Sequence, residues 1–107
     1  MSSGTSAPIP YRVSYSERVR RRLLGLADVA RQRGDAEEFL AALKEFHRRL
    51  CVYPQFGEPL VDLTQEPGQM WIGIVHPLAM RYGVFDDRRI VLVAGIPVLL
   101  RSKGAGP

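Results

Sequence analysis

Apolar residues recur along this chain with two periods, and the change from one to the other divides it. Tyr11-Arg12-Val13-Ser14-Tyr15 alternates apolar and polar, the period-two pattern of a half-buried strand. Ser16 then stands as the N-cap of a helix, with Glu17 in its first turn. Val19, Leu23, Leu26 and Ala30 fall at i, i+4, i+7 and i+11, one stripe of that amphipathic helix. Arg18 and Arg21 lie away from the stripe, Arg20, Arg22 and Arg31 flank it, and Gly34 is a natural helix stop. Asp35 and Glu38 have capping-box spacing and open a second helix. Its stripe is Phe39, Leu43, Phe46 and Leu50, and Pro54 ends it. Beyond Pro54 the period returns to two. Residues 55–59 read as a loop, 60–63 as a short strand, and Glu66-Pro67-Gly68 as a turn. Residues 70–75, 79–85 and 89–94 read as three strands, turning at His76-Pro77-Leu78 and Asp86-Asp87-Arg88.

The order strand, two helices, strands predicts an α+β domain. An antiparallel helical hairpin covers one face of a mostly antiparallel sheet of three to four strands. Residues 1–9 are a disordered lead, 10–101 a single domain and 102–107 a flexible tail. With 107 residues there is material for one core. Hydrophobic residues make up 46%, too many for a chain disordered throughout. No apolar run approaches a membrane span, so no membrane partner is expected. The first ten residues lack the basic and apolar regions of a secretory signal. One cysteine, Cys51, excludes an internal disulfide framework and a Cys-rich zinc site, and the expected compartment is the cytoplasm. No His, Asp or Glu spacing suggests a metal, so neither metal nor cofactor is expected. The net charge is +4, and Arg outnumbers Lys 13 to 2. Seven of the arginines lie between Tyr11 and Arg33, which makes the first helix the basic element of the chain. That helix either meets phosphates or acidic side chains, or is a solvated face.

Three segments carry a resemblance. The first strand YRVSYS (residues 11–16) is followed by the helical hairpin. The junction CVYPQFGEPLVDL (51–63) has the pattern Pro, a few residues, Gly, x, Pro-Leu, x, x-Leu. The block MRYGVFDDRRIVLVAGI (80–96) places Arg81 on a strand, then Asp86-Asp87, then the apolar run Ile90-Val91-Leu92-Val93, and is similar to a hairpin pattern of Tyr-Arg-x-x-Tyr, Asp-Asp and Val-Val-Val. Together they resemble the RelE/ParE superfamily of bacterial type II toxin–antitoxin systems over nearly the whole domain. The resemblance implies a toxin-like protein restrained by an antitoxin protein. Its target would be the ribosome with its mRNA, which such proteins cleave, or DNA gyrase. It also implies a role for Arg81, the strand arginine that supports the reacting phosphate in mRNA-cleaving members. A cation there stabilises charge that develops as the ribose 2′-hydroxyl attacks. Two stretches depart from the pattern. Residues 70–74 (MWIGI) lack the basic groups of that branch. Residues 95–100 (GIPVLL) lack the Arg, His or Tyr that supply its acid and base. The expected activity is therefore a ribosome-dependent mRNA endonuclease with a reduced or altered catalytic set. The alternative is a non-enzymatic binding protein on the same scaffold, a gyrase-directed poison or an inert relative.

Alternation within strands assigns faces. Ile72 and Ile74 are expected to face the helices with Met80, Tyr82 and Val84. Trp71, Gly73, Val75, Ala79, Arg81, Gly83 and Phe85 then share the opposite face, which is apolar apart from Arg81. Such a face calls for a cover. It could be the tail at Val98–Leu100, a second copy in a homodimer, or an antitoxin helix, with Trp71 and Phe85 as contact anchors. His76 is either a general base near Arg81 or a turn residue before Pro77. His47 reads as a half-buried packing residue, Tyr82 as core, and Cys51 as an inert half-buried thiol. Arg18, Arg21 and Arg22 are the helix cations offered to nucleic acid or antitoxin. Arg101 and Lys103 are the nearest substitutes for the missing C-terminal cations.

Overall fold

The computed structural model describes residues 9–60 and 68–100. The lead through residue 8, part of the expected 60–63 strand, most of the 66–68 turn, and the tail beyond Leu100 lie outside the described residues. Strand β1 (Arg12–Tyr15) leads into α1 (Glu17–Gln32) and α2 (Ala36–Val52). A single 3-10 turn, Pro54–Phe56, comes next. After it come β2 (Glu58–Pro59), β3 (Gln69–Val75), β4 (Leu78–Phe85), β5 (Ile90–Val93) and β6 (Val98–Leu99). The expected α+β order holds, but the sheet has six strands instead of the expected three to four, because β1 joins it beside β5 and the two-residue strands β2 and β6 pair with β3 and β4. The 55–59 segment is not plain loop, because it contains both the 3-10 turn and β2.

Helix ends follow their sequence signals in one case and not in the other. The Ser16 hydroxyl accepts from the Val19 N–H at 3.2 Å and caps α1. Gly34, at φ 81°, ends it. There the Asp35 N–H reaches the Ala30 carbonyl at 2.7 Å and the Gly34 N–H reaches that of Arg31 at 3.1 Å. This 6→1 and 5→2 pair satisfies carbonyls that would otherwise be left over, and only a residue tolerant of positive φ fits the bend. Asp35 precedes α2 but makes no side-chain capping bond, so the expected capping box does not form. Its carboxylate, with Glu37 and Glu38, still places negative charge at the helix start.

The sheet runs β1-β5-β4-β3-β2, and β6 also pairs with β4. All pairings are antiparallel except β1 with β5, which is parallel. β5 takes the second half of β4 (Tyr82–Phe85), and β6 takes its start at Leu78–Ala79. The segment Val98–Leu99 therefore lengthens the sheet instead of covering its face, contrary to one of the expected covers. Helix α2 lies on β1, β3 and β4, and α1 packs on α2. The core between helices and sheet holds Val19, Leu26, Phe39, Phe46, Leu50, Met80, Tyr82, Val84, Val91 and Val93. A three-ring cluster sits at its centre. Phe46 meets Phe56 edge-on at 5.4 Å and Tyr82 edge-on at 6.2 Å, and Phe56 stacks on Tyr82 at 6.0 Å.

One face assignment is reversed. Trp71 pairs with Tyr82, Gly73 with Met80 and Val75 with Leu78. Trp71, Gly73 and Val75 therefore face the helices, while Met70, Ile72 and Ile74 point outward. The cause is the aromatic cluster. A Cβ on Gly73 would stand 2.7 Å from Phe56 Cζ and 3.0 Å from Phe46 Cζ. The inward position at that level must be glycine, and this fixes the parity of the whole strand. The β4 assignment stands: Met80, Tyr82 and Val84 are buried and Arg81 is exposed.

The N-terminal strand is tied to the far end of the chain. The Tyr11 hydroxyl donates to Asp86 Oδ1 at 2.6 Å, and Gln55 Nε2 donates to the same oxygen at 3.1 Å. The Arg89 guanidinium lies 4.4 Å from the Tyr11 ring centroid and bonds the Ile9 carbonyl. Arg89, at φ 54°, turns the chain from Asp86-Asp87-Arg88 into β5. Among the described residues no helix is long and apolar enough to cross a membrane.

Candidate functional site

The outer face of the sheet is built from alternate residues of its six strands, with Arg12 and Ser14 of β1 and Glu58 of β2 toward its two edges and an apolar strip between them. β3 contributes Met70, Ile72 and Ile74, and β4 contributes Ala79, Arg81, Gly83 and Phe85. Ile90 and Leu92 come from β5 and Val98 from β6. Ile74 is 54% exposed, Val98 49%, Met70 42% and Leu92 41%. Arg81 is the only charged residue that β3, β4 and β5 place there. It stands opposite Ile72, where the β5 pairing of β4 gives way to that of β6. The connection between β5 and β6 passes against its stem, since a Cβ on Gly95 would lie 2.8 Å from Arg81 Cβ. No hydrogen bond or ion pair engages the guanidinium among the described residues. Its stem is packed and its guanidinium is open to an arriving anion on an apolar strip, with the Glu58 position across Ile72 on the neighbouring strands.

Other expected residues fall around this face unevenly. Phe85 belongs to it, with its ring half-buried over Gly68 and Gly83. Trp71 does not belong to it, and its expected role as an outer contact anchor is withdrawn. It is half-buried against the core, and its indole N–H is buried with no hydrogen-bond partner among the described residues. His76 is exposed in the tight turn between β3 and β4. That turn is three strand residues, about 10 Å, from the level of Arg81. Arg18, Arg21 and Arg22 share one face of α1. Arg21 pairs with Glu17 at 3.3 Å in full exposure, an interaction of small energy. Arg22 Nε donates to the Pro97 carbonyl at 3.4 Å. The Gly95–Pro97 segment thus touches both Arg22 and Arg81. Arg101 and Lys103 lie outside the described residues.

A second surface was not expected from the stripes alone. The side of the helical hairpin carries a groove of about 660 Å³, lined by Tyr15, Arg20, Leu23, Leu24, Ala27, Phe39, Leu40, Leu43, Lys44 and His47. Leu24 is 73% exposed and Leu40 50%. Both residues sit beside the buried stripes, so each helix is apolar over a wider arc than its core contact uses. Their positions in the sequence, one residue past Leu23 and one past Phe39, were the available signal.

At one end of this groove three polar side chains meet. Tyr15 Oη and His47 Nδ1 are 2.7 Å apart, and the two rings stack at 5.8 Å with 21° between planes. His47 Nε2 is 3.5 Å from Cys51 Sγ. His47 is exposed, so its expected role as half-buried packing does not hold, while Cys51 is half-buried as expected. Burial pushes the Tyr15 phenol up to about 12, and the neighbouring Cys51 adds to the rise. The His-x-x-x-Cys spacing on α2 was readable in the sequence. The contribution of Tyr15, from a different element, was not. No family model matches this chain, and no curated protein or solved structure matches it.

Proposed function

We propose that this chain is the toxin-like component of a toxin–antitoxin pair and that its α1–α2 groove is the antitoxin seat. The observation that carries the reading is the groove itself, an apolar channel with leucines exposed along it and Arg20 and Lys44 as its charged lining. An amphipathic helix with acidic flanks fits that chemistry: its apolar face covers Leu23, Leu24 and Leu40, and its carboxylates meet the two cations. Arg81 is the effector residue. On the outer face it contacts a phosphate of the target, and in a ribosome-bound mRNA it would stabilise the charge formed at the scissile phosphate.

Induction of the chain alone in a bacterial host tests this. Growth arrest is expected, with relief on co-expression of an antitoxin encoded by a short reading frame adjoining its gene, and the lack of any such frame would count against the pair. The Leu24→Glu/Leu40→Glu double variant should still arrest growth but escape that relief. Normal growth on induction of the wild-type chain would remove the toxin reading. A second reading, non-enzymatic binding with DNA gyrase as a target, is favoured by the distance between His76 and Arg81, which leaves no imidazole beside the guanidinium among the described residues. Primer extension on cellular mRNA separates the two. Discrete new ends support cleavage, and intact message with DNA damage supports the gyrase target.

A further inference from the structure

The cluster at the end of the groove has a geometry that the toxin reading does not use. His47 and Cys51 are one helical turn apart on α2, so both side chains rise from the same side of the helix. Their Nε2 and Sγ atoms are 3.5 Å apart. Zinc bonds to imidazole nitrogen at about 2.0–2.1 Å and to thiolate sulfur at about 2.3 Å, and at the tetrahedral angle those bonds set N and S about 3.6 Å apart. The pair is already spaced as two ligands of one ion. The ring is also held for the task. Tyr15 fixes the far nitrogen, Nδ1, at 2.7 Å and stacks on the imidazole plane. When Nδ1 keeps its proton and donates it to the Tyr15 oxygen, the Nε2 lone pair is directed to the sulfur side. Such an outer hydrogen bond typically orients a metal-bound histidine. Cys51 lies in the last turn of α2, where the helix carbonyls favour a cation.

We propose that His47 Nε2 and Cys51 Sγ form a two-ligand site for a thiophilic divalent cation, zinc in the first place, with Tyr15 as the positioning residue. Binding replaces the thiol proton: the ion takes the sulfur lone pair as the proton leaves to solvent, with no change of oxidation state. Among the described residues no third His, Cys, Asp or Glu completes a cluster. Two coordination positions are therefore left to water, and the ion exchanges readily. A borderline-soft ion is selected because one ligand is a thiolate, which hard cations such as magnesium and calcium avoid.

The test is a titration of cobalt(II) into the reduced full-length chain, with a phosphine reductant and no oxygen. One cobalt per chain should give a sulfur-to-cobalt charge-transfer band that equimolar zinc abolishes. Cys51→Ser should remove the band, and His47→Gln should weaken cobalt binding at least tenfold. Tyr15→Phe should keep the band but weaken binding by roughly 10–100-fold, the usual effect of losing such an outer partner. His76→Gln, at the only other histidine, should bind as the wild type does. Thermal melts run alongside confirm that each variant is folded. Zinc should raise the melting temperature of the wild type and leave that of Cys51→Ser unmoved. A wild-type chain that gives no charge-transfer band overturns the proposal. So does a His47→Gln variant that binds cobalt as tightly as the wild type, because a thiol acting by itself would then explain the signal.

Discussion

Tyr82 joins the core to the chain that crosses it. Its ring completes the Phe46–Phe56 cluster, and its hydroxyl, fully buried, donates to the Pro54 carbonyl at 2.6 Å. Burial pushes the phenol up to about 12, against a smaller opposing effect of a backbone hydrogen bond from Gly57. The folded state thus holds the Tyr82 proton more tightly than the unfolded chain, whose phenols titrate near 10. Stability from this source is complete below about pH 10 and is lost as pH rises toward 12, and Tyr15 adds to the loss in the same direction. Denaturant midpoints measured between pH 8 and 12 should fall across that window. Tyr82→Phe should flatten part of the fall and, at neutral pH, cost about 1–3 kcal/mol by leaving the Pro54 carbonyl unpaired. An undiminished alkaline limb in Tyr82→Phe would mean that another group drives it. Gly73 gives a second test at this scale. Its Cβ position is already filled by the ring of Phe46, inside the core, and by that of Phe56, half-buried against it. Gly73→Ala should lower stability by about 1–3 kcal/mol through overpacking, although alanine suits a strand better than glycine. Equal denaturant midpoints for the two proteins would contradict the reversed face of β3.

At the scale of elements, the two helix starts make a controlled comparison. Ser16 makes its capping bond to the Val19 N–H and Asp35 makes none, although both residues carry the sequence mark of a cap. Ser16→Ala should cost about 1 kcal/mol in chemical denaturation. Asp35→Ala should cost only the smaller charge–dipole contribution, about 0.3–1 kcal/mol and reduced by salt. Equal losses would imply that Asp35 caps α2 in solution. The same contrast explains which elements the sequence made legible. α1, α2, β4 and the turns beside them are encoded by local period, by Gly34 and by Pro54, and these were readable. β3 was readable as a strand but not in its facing. Met70-Trp71-Ile72-Gly73-Ile74-Val75 is apolar on both parities, and the deciding fact, the two phenylalanine rings above Gly73, comes from α2 and the 3-10 turn. β2 and β6 are each two residues long and exist through pairing with β3 and β4. The parallel partnership of β1 with β5 joins segments over seventy residues apart, which no local pattern records. The polar cluster at Tyr15 escaped for the same reason: His47 and Cys51 share a helix face, but the residue that orients them arrives from β1.

For the whole molecule, the sheet separates the two surfaces on which the proposed function rests. Arg81 and its apolar surround occupy the face turned away from the helices. The groove with Leu24 and Leu40 lies on the helical hairpin across the core. The buried layer between them is made of large, fully enclosed side chains such as Phe39, Leu50, Tyr82 and Val93. The Gly95–Pro97 segment touches both Arg22 and Arg81, but Arg22 does not line the groove, and distant, unshared sites normally act additively. The two surfaces should therefore fail separately. Arg81→Ala should abolish growth arrest and still co-purify with the neighbouring-frame protein as the wild type does, because its groove is intact. Leu24→Glu/Leu40→Glu should keep full arrest and lose co-purification, since two carboxylates then occupy an apolar channel whose partner is itself acidic. The triple variant should show both losses and a folding stability equal to the sum of the separate changes within about 0.5 kcal/mol. If Arg81→Ala also released the partner, the partner would have to reach the outer face of the sheet. The groove would then be only part of its seat, and the apolar strand surface around the arginine would be the remainder.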